Sequence, residues 1–357
     1  MAVSRAAGRS PGPLLEDGVR GGIPPQTPSD REARERAHTL YSAAIGACLS
    51  RADTRPRLRE RAAELLAEEA RLPFLTSDEV DEVDRVLPEV ITALRSEPMR
   101  VPDGATPEDP GRIMTEAELA ALFDLALRDR LTGTAREHPR ALLLGGQPGA
   151  GKSTLQRRLL PLLPEGTVGY DDDDLLRLAP DYEWAMSADD RTASRSLAGQ
   201  VGGLHDLAME HIRASRVDVV CGHSLGRADQ AASWVKGFRD AGYRVEVAFV
   251  ATHASHSRFA IVDRHTRERT HQGFGRWVSE ARHDRLYLGV PNTVEFLETH
   301  RLADSVYVLS RDGEVLYADH RRDDGREKEP FGRIALEAER GRRESWRKDH
   351  LEAKAAL

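Results

Sequence analysis

Ala141-Leu142-Leu143-Leu144-Gly145-Gly146-Gln147-Pro148-Gly149-Ala150-Gly151-Lys152-Ser153-Thr154 is the stretch whose reading decides the fold. Ala141 to Leu144 is the continuous apolar run of a central parallel strand, and Gly146 to Ser153 satisfies G-x-x-x-x-G-K-[ST] directly after it. Glycines at 146, 149 and 151 let the backbone fold closely around an anion, so that successive N–H groups and the next helix N-terminus point at phosphate oxygens. The nine residues Gly146, Gln147, Pro148, Gly149, Ala150, Gly151, Lys152, Ser153 and Thr154 are therefore expected to cradle a nucleoside triphosphate. Lys152 would reach the β- and γ-phosphates, and the Ser153 hydroxyl would add one hard oxygen ligand to Mg²⁺. The plainer reading, a Gly-rich strand-to-helix turn with no ligand, does not account for a full motif in full context.

Downstream, apolar runs and helical periodicity alternate as in a doubly wound α/β sheet. Strands are expected at Thr167 to Tyr170, Val217 to Cys221, Val245 to Ala251 and Ser305 to Leu309, with a closing hairpin, Val306 to Ser310 and Glu314 to Tyr317, turning at Asp312-Gly313. Helices fill Thr192 to Ser215, Asp229 to Ala241, Ser255 to Gln272 and Arg276 to His300, and one more, Thr115 to Leu131, precedes the first strand. The fold class is thus a P-loop NTPase-type parallel sheet flanked by helices, over residues 115–325.

Upstream, residues 1–29 hold many Gly, Pro, Ser and Arg without apolar periodicity and read as a disordered tail. Residues 30–96 turn helical, with Leu40, Ala43, Ala44 and Ala47 on one face, Leu58, Ala62, Leu65 and Leu66 on another, and a capping box at Thr76 to Glu79. This N-terminal helical module is either a structural prop or a regulatory unit. Residues 97–114, rich in proline, read as a linker, and residues 326–357 as a highly charged helix with a solvated face.

Of 357 residues, 39% are hydrophobic, enough for one large core. A net charge of -7 argues against nucleic-acid or anionic-membrane partners, and no stretch approaches the apolar length of a membrane span or signal peptide. Cys48 and Cys221 have no metal-type spacing, so a cytoplasmic, reducing address is the expectation.

Two clusters could carry chemistry. Asp171-Asp172-Asp173-Asp174 follows a strand, at the carboxyl end where α/β sheets place their ligands, and an aspartate there can take the proton of an attacking hydroxyl. The plainer reading is a solvated acidic loop capping a helix near Leu175. Between Ser255 and Arg285, seven arginines meet four carboxylates, a local charge of +3 suited to a lid over a triphosphate, with two arginines expected to act there. Five histidines in or beside this region (His253, His256, His265, His271 and His283) match no zinc spacing. Ser224 and Arg227, after the Cys221 strand, could touch substrate or merely cap a helix.

These residues resemble the zeta toxin family of P-loop kinases over about residues 138–320. The loop Gly145 to Ser153 is similar to the family's own P-loop, and Asp171-Asp172-Asp173, Asp263-Arg264-His265, Gly275-Arg276, His283-Asp284 and Pro291-Asn292 keep its register. The resemblance implies ATP and Mg²⁺ as cofactors, Asp173 as general base, Lys152, Arg264 and Arg276 as catalytic phosphate contacts, and Asp172, Ser224 and Arg227 on the acceptor side. It implies phosphorylation of a UDP-N-acetylglucosamine-type amino sugar by the toxin of a toxin–antitoxin system, restrained by a separate antitoxin or by helices such as 30–96. The family's Glu-Gly-Thr-x-Arg becomes Gly222-His223-Ser224-Leu225-Gly226 here, with its Arg lost or moved to Arg227, and its His becomes Ala179. A different small-molecule acceptor therefore stays open: a nucleotide, NAD or an antibiotic. A nucleotide-gated interaction protein without kinase activity also stays open.

Overall fold

The computed structural model describes residues 12–24, 27–50, 55–96, 112–321 and 330–341. Six strands form one sheet: β1 (Arg140–Gly145), β2 (Val168–Asp171), β3 (Val219–Gly222), β4 (Arg244–Ala251), β5 (Ser305–Ser310) and β6 (Val315–His320), in the order β2-β3-β1-β4-β5-β6. The first five run parallel and β6 pairs antiparallel with β5. All six residues of β1 are buried, as a strand covered on both faces requires. The chain leaves β1 toward β2 on one side and, after β3, crosses to β4 on the other. The P-loop therefore lies at the carboxyl ends of the strands where the winding reverses, which is where open α/β sheets bind ligands.

The helices of the sheet domain are α5 (Glu116–Ala126), α6 (Lys152–Leu159), α7 (Tyr182–Ala188), α8 (Ala193–Ser215), α9 (Ala228–Asp240), α10 (Ala254–Gln272) and α11 (Glu280–Thr299). Two expectations shift. The helix read from Arg276 begins at Glu280, capped by the Ser279 hydroxyl, so that 276–279 is an extended lead-in. The helix read to Leu131 ends at Ala126 and gives way to a short 3-10 turn.

The N-terminal helices are α2 (Pro28–Leu49), α3 (Arg55–Glu69) and α4 (Ser77–Ser96), and the Thr76–Glu79 capping box closes as the spacing predicts. They share one hydrophobic core with the sheet domain: Leu40, Ile45, Leu65 and Ile91 belong to the same buried cluster as Leu143, Tyr170 and Val247. Long-range polar contacts reinforce the junction. Glu69 forms a buried, two-pronged ion pair with Arg177 (2.6 Å at both oxygens), and Arg95 donates to Glu183 (2.6 Å) and to Gln272 O (2.8 Å). Most of the proposed linker, 97–111, lies outside the described residues; Met114 at its end is buried.

Two terminal readings are corrected. Residues 12–24 of the supposed tail are ordered: α1 (Leu14–Val19) buries Leu14 and Leu15 against Leu142, Leu144, Leu155 and Leu159. Its first N–H groups are accepted by Glu246, a buried carboxylate on β4, and its Asp17 pairs with Arg140 of β1. A six-residue helix too short for any periodicity is thus fixed by partners far along the chain. At the other end, a helix over 332–341, here α12, does not present a solvated face throughout. Leu336, Glu339 and Arg340 are buried. Residues 1–11 and 25–26 of the first reading, and 326–329 and 342–357 of the second, lie outside the description.

Candidate active site

The P-loop geometry follows from its glycines. Gly149 has φ 77, and a Cβ there would stand 2.1 Å from Ser257 O, so only glycine lets the loop lie against α10. Lys152 Nζ is held over the loop by Gly146 O (3.0 Å) and Gln147 O (3.3 Å). Burial lowers its proton affinity, an effect opposed by Asp173, Asp171 and Asp172. The Gln147 side chain turns away from the loop mouth into the interior, where it is fully buried.

The aspartate run has four different environments. Asp171 ends β2, accepts the Ser153 hydroxyl at 2.6 Å and caps the 3-10 turn Asp172–Leu178 through the Asp173 N–H. Burial, then the neighbouring Asp173, Asp174 and Asp172 charges, push it up to about 7. Asp172 meets His223 Nδ1 at 2.7 Å. Asp173 pairs with Arg276; burial would raise it, but Arg276, Lys152 and Arg264 hold it well below the usual carboxylate range. Asp174 faces away, toward Arg130 and Arg177 at 3.8 Å each. Ligand atoms of Asp171, Asp172 and Asp173 lie within 4.8 Å of one another, a hard-oxygen set beside the Ser153 hydroxyl that fits a divalent ion.

P-loop, aspartates and two arginines line one cleft of about 1250 Å³, which takes in Lys152, Ser153, Asp173, Ser224, Arg264 and Arg276. The opposite wall is α2, through Arg31, Glu35, His38 and Ser42. The segment between α10 and α11 is fixed by Asp190, which accepts from Gly275 N (2.9 Å) and meets His265 at 3.1 Å. Ser224 lines the cleft and its carbonyl accepts from Gly146 N at 3.1 Å, tying the loop after β3 to the P-loop.

Arg227 does not join them: it is exposed and pairs with Asp229. Nor is there room for a side chain at 226, since a Cβ there would stand 2.7 Å from Leu286 Cδ2 and 3.1 Å from its Cα. The group that sequence reasoning passed over is His223. It lines the cleft, stacks on Trp234 with ring centroids 4.6 Å apart, and has an unpartnered, buried Nε2. Burial lowers its proton affinity, but the Asp172 hydrogen bond and charge outweigh that and raise it overall. Its neighbours in sequence, a glycine-rich turn after a strand, gave no sign of this partnership.

A model of the zeta toxin family matches residues 124–322, more than half of the chain. No curated protein matches it. Among solved structures, one from the PezAT chromosomal toxin–antitoxin system of the human pathogen Streptococcus pneumoniae superposes with a TM-score of 0.52 at 19% identity, covering 65% of this chain and 97% of that one. Another, of an AvrRxo1-ORF1:-ORF2 complex, aligns with a TM-score of 0.38 at 14% identity, covering 59% of this chain and 69% of that one.

Proposed function

The chain belongs to the zeta toxin family of P-loop kinase-like proteins, and from that premise we propose that it transfers the γ-phosphoryl of ATP to a hydroxyl of a small molecule, as the toxin of a toxin–antitoxin pair. The observation that carries this reading is one cleft holding a phosphate loop, a row of aspartates and two arginines. ATP with Mg²⁺, when bound, supplies the transferable phosphoryl. Ser153 and Asp171 would hold the ion, and the P-loop amides with Lys152 would hold the phosphates. Arg264 and Arg276 stabilise charge on the transferring group. Asp173 takes the acceptor's proton, and its pairing with Arg276 keeps it anionic beforehand. Drawing Arg276 toward phosphate would release Asp173 from that pair and raise its basicity as the site fills.

For the acceptor we infer a UDP-N-acetylglucosamine-type amino sugar, bound by Asp172 and Ser224. A second reading, a nucleotide, NAD or antibiotic, is favoured by one specific feature. The acceptor end has no guanidinium from Gly226 or Arg227 and has His223 instead. Incubation with ATP·Mg²⁺ and a panel of UDP-sugars, nucleosides and NAD, followed by mass spectrometry, decides between them. One added phosphoryl on a UDP-amino sugar is the expected result; none on any acceptor would refute the kinase reading. Restraint by a partner antitoxin or by α2, which walls the cleft, belongs to the same proposal.

A further inference from the structure

The amide of Gln147 ties three separate parts of the chain to the P-loop. Its Nε2 donates to Thr252 O at the end of β4 (2.7 Å) and to Ser257 Oγ on α10 (3.2 Å). Its Oε1 accepts from Arg340 Nη2 at 2.9 Å, a contact buried throughout and spanning 193 residues of sequence. Arg340 sits on α12, outside the span that matches the family. Its other terminal nitrogen donates to Tyr287 O at 3.0 Å, and the guanidinium carbon lies 3.9 Å from the centroid of the Tyr287 ring. Both hydrogen-bond acceptors are uncharged. A guanidinium buried against neutral oxygens is costly unless another charge offsets it.

Resting on the reading of the P-loop as a nucleotide site, we propose that Arg340 is a positioning residue of that site: through Gln147 it fixes the loop and sets a buried positive charge behind it, so that triphosphate affinity depends on α12. The route is short. Gln147 O and Gly146 O are the two carbonyls that hold Lys152 Nζ, so a side chain clamped at 147 also fixes where the ammonium stands. The charge persists at neutral pH, since burial lowers the guanidinium's proton affinity only to about 10. Glu337 on the same helix offsets part of that charge, and a bound triphosphate would add to the offset from the loop side. A purely structural Arg340 would instead lower stability and leave binding by the folded protein unchanged.

The test is calorimetric titration of the full chain with ATP·Mg²⁺, alongside melting without nucleotide. Arg340→Gln is expected to weaken binding about tenfold or more. Arg340→Lys, which keeps charge but loses the fork, should fall between it and wild type. Ile334→Ala, at an exposed and uncharged position of the same helix, should bind as wild type. A folded Arg340→Gln that binds within about twofold of wild type overturns the proposal. If that variant does not fold, Gln147→Glu replaces it: the Arg340 hydrogen bond stays and its charge is cancelled, while the Nε2 donations to Thr252 and Ser257 are lost, and binding at wild-type strength is again refutation. Wild-type protein that takes up no ATP·Mg²⁺ is a separate result, which removes the nucleotide site itself.

Discussion

The two walls of the cleft are built by different means. The sheet wall is made of local main-chain geometry, three left-handed glycines and a helix N-terminus within one short segment, and its charged groups follow directly on strand ends. The helical wall is made of side chains that find partners over long stretches of chain: Glu69 on Arg177, Glu35 on Arg267, Arg95 on Glu183. Catalytic loss should therefore come from the first wall and structural loss from the second. The sharpest test of the sheet wall is Asp173→Asn, which removes the proposed base while keeping its shape. Turnover should fall about 10²–10⁴-fold, with ATP binding retained. Measuring kcat and the ATP dissociation constant separately checks this; full activity would move the base elsewhere in the run.

The corresponding break in the helical wall is Glu69→Ala. It leaves the Arg177 guanidinium buried with its principal carboxylate removed, a change that costs about 3–5 kcal/mol. Glu69 itself also accepts from His38 (2.8 Å). The Arg177 charge and the His38 hydrogen bond hold its carboxyl well below the ordinary range despite burial. Chemical denaturation of the variant gives the value. A loss below about 1 kcal/mol would show that this ion pair does not hold the helices to the sheet domain.

This contrast also sets what the sequence can reveal. The P-loop, the strand that feeds it, the aspartate run and the Thr76 capping box are each decided within a few residues, and all are where the pattern placed them. Leu14 and Leu15 look like a stray apolar pair because the carboxylate that receives their N–H groups is 232 and 231 residues away. Glu246 itself reads as a blemish in a valine-rich strand. Arg340 reads as one more charge in a charged tail, since nothing near it names Gln147. In the loop after β3, Arg227 is a plausible substitute for the missing family arginine until the structure shows it exposed and paired with Asp229, with no room for a side chain at 226.

α1 extends the comparison to the opposite face of the sheet. Burial pushes Glu246 up to about 7 from an ordinary 4.5, although the Leu14 and Leu15 N–H groups, Arg244 and Arg140 pull the other way. The folded protein thus holds this proton more tightly than the unfolded chain. Stability from this group is fully present below pH 4.5 and is lost as pH rises toward 7, a change on the order of 3 kcal/mol. Asp171, also near 7, contributes in the same direction. Melting curves of wild type and Glu246→Gln across that window separate the two, with the variant showing the flatter profile. Parallel profiles would mean that Glu246 does not titrate there.

The smallest expected effect bears on whether the helical wall restrains the enzyme. Glu35 of α2 pairs with Arg267 of α10, and both side chains are about a quarter exposed, at 26% and 29%. Arg267 also has Asp263 at 2.7 Å, so losing Glu35 does not strand its charge. Partly solvated pairs of this kind contribute about 0.2–1 kcal/mol. Glu35→Gln should therefore leave the melting temperature nearly unchanged. If α2 holds α10 back from the phosphates, the same small free energy appears in turnover, as an increase of at most about fivefold. The gain should be confined to kcat, and Glu35→Gln should add nothing further to an Arg267→Ala variant, because both changes release the same contact. Equal turnover in wild type and Glu35→Gln would make α2 a wall of the cleft without control over it.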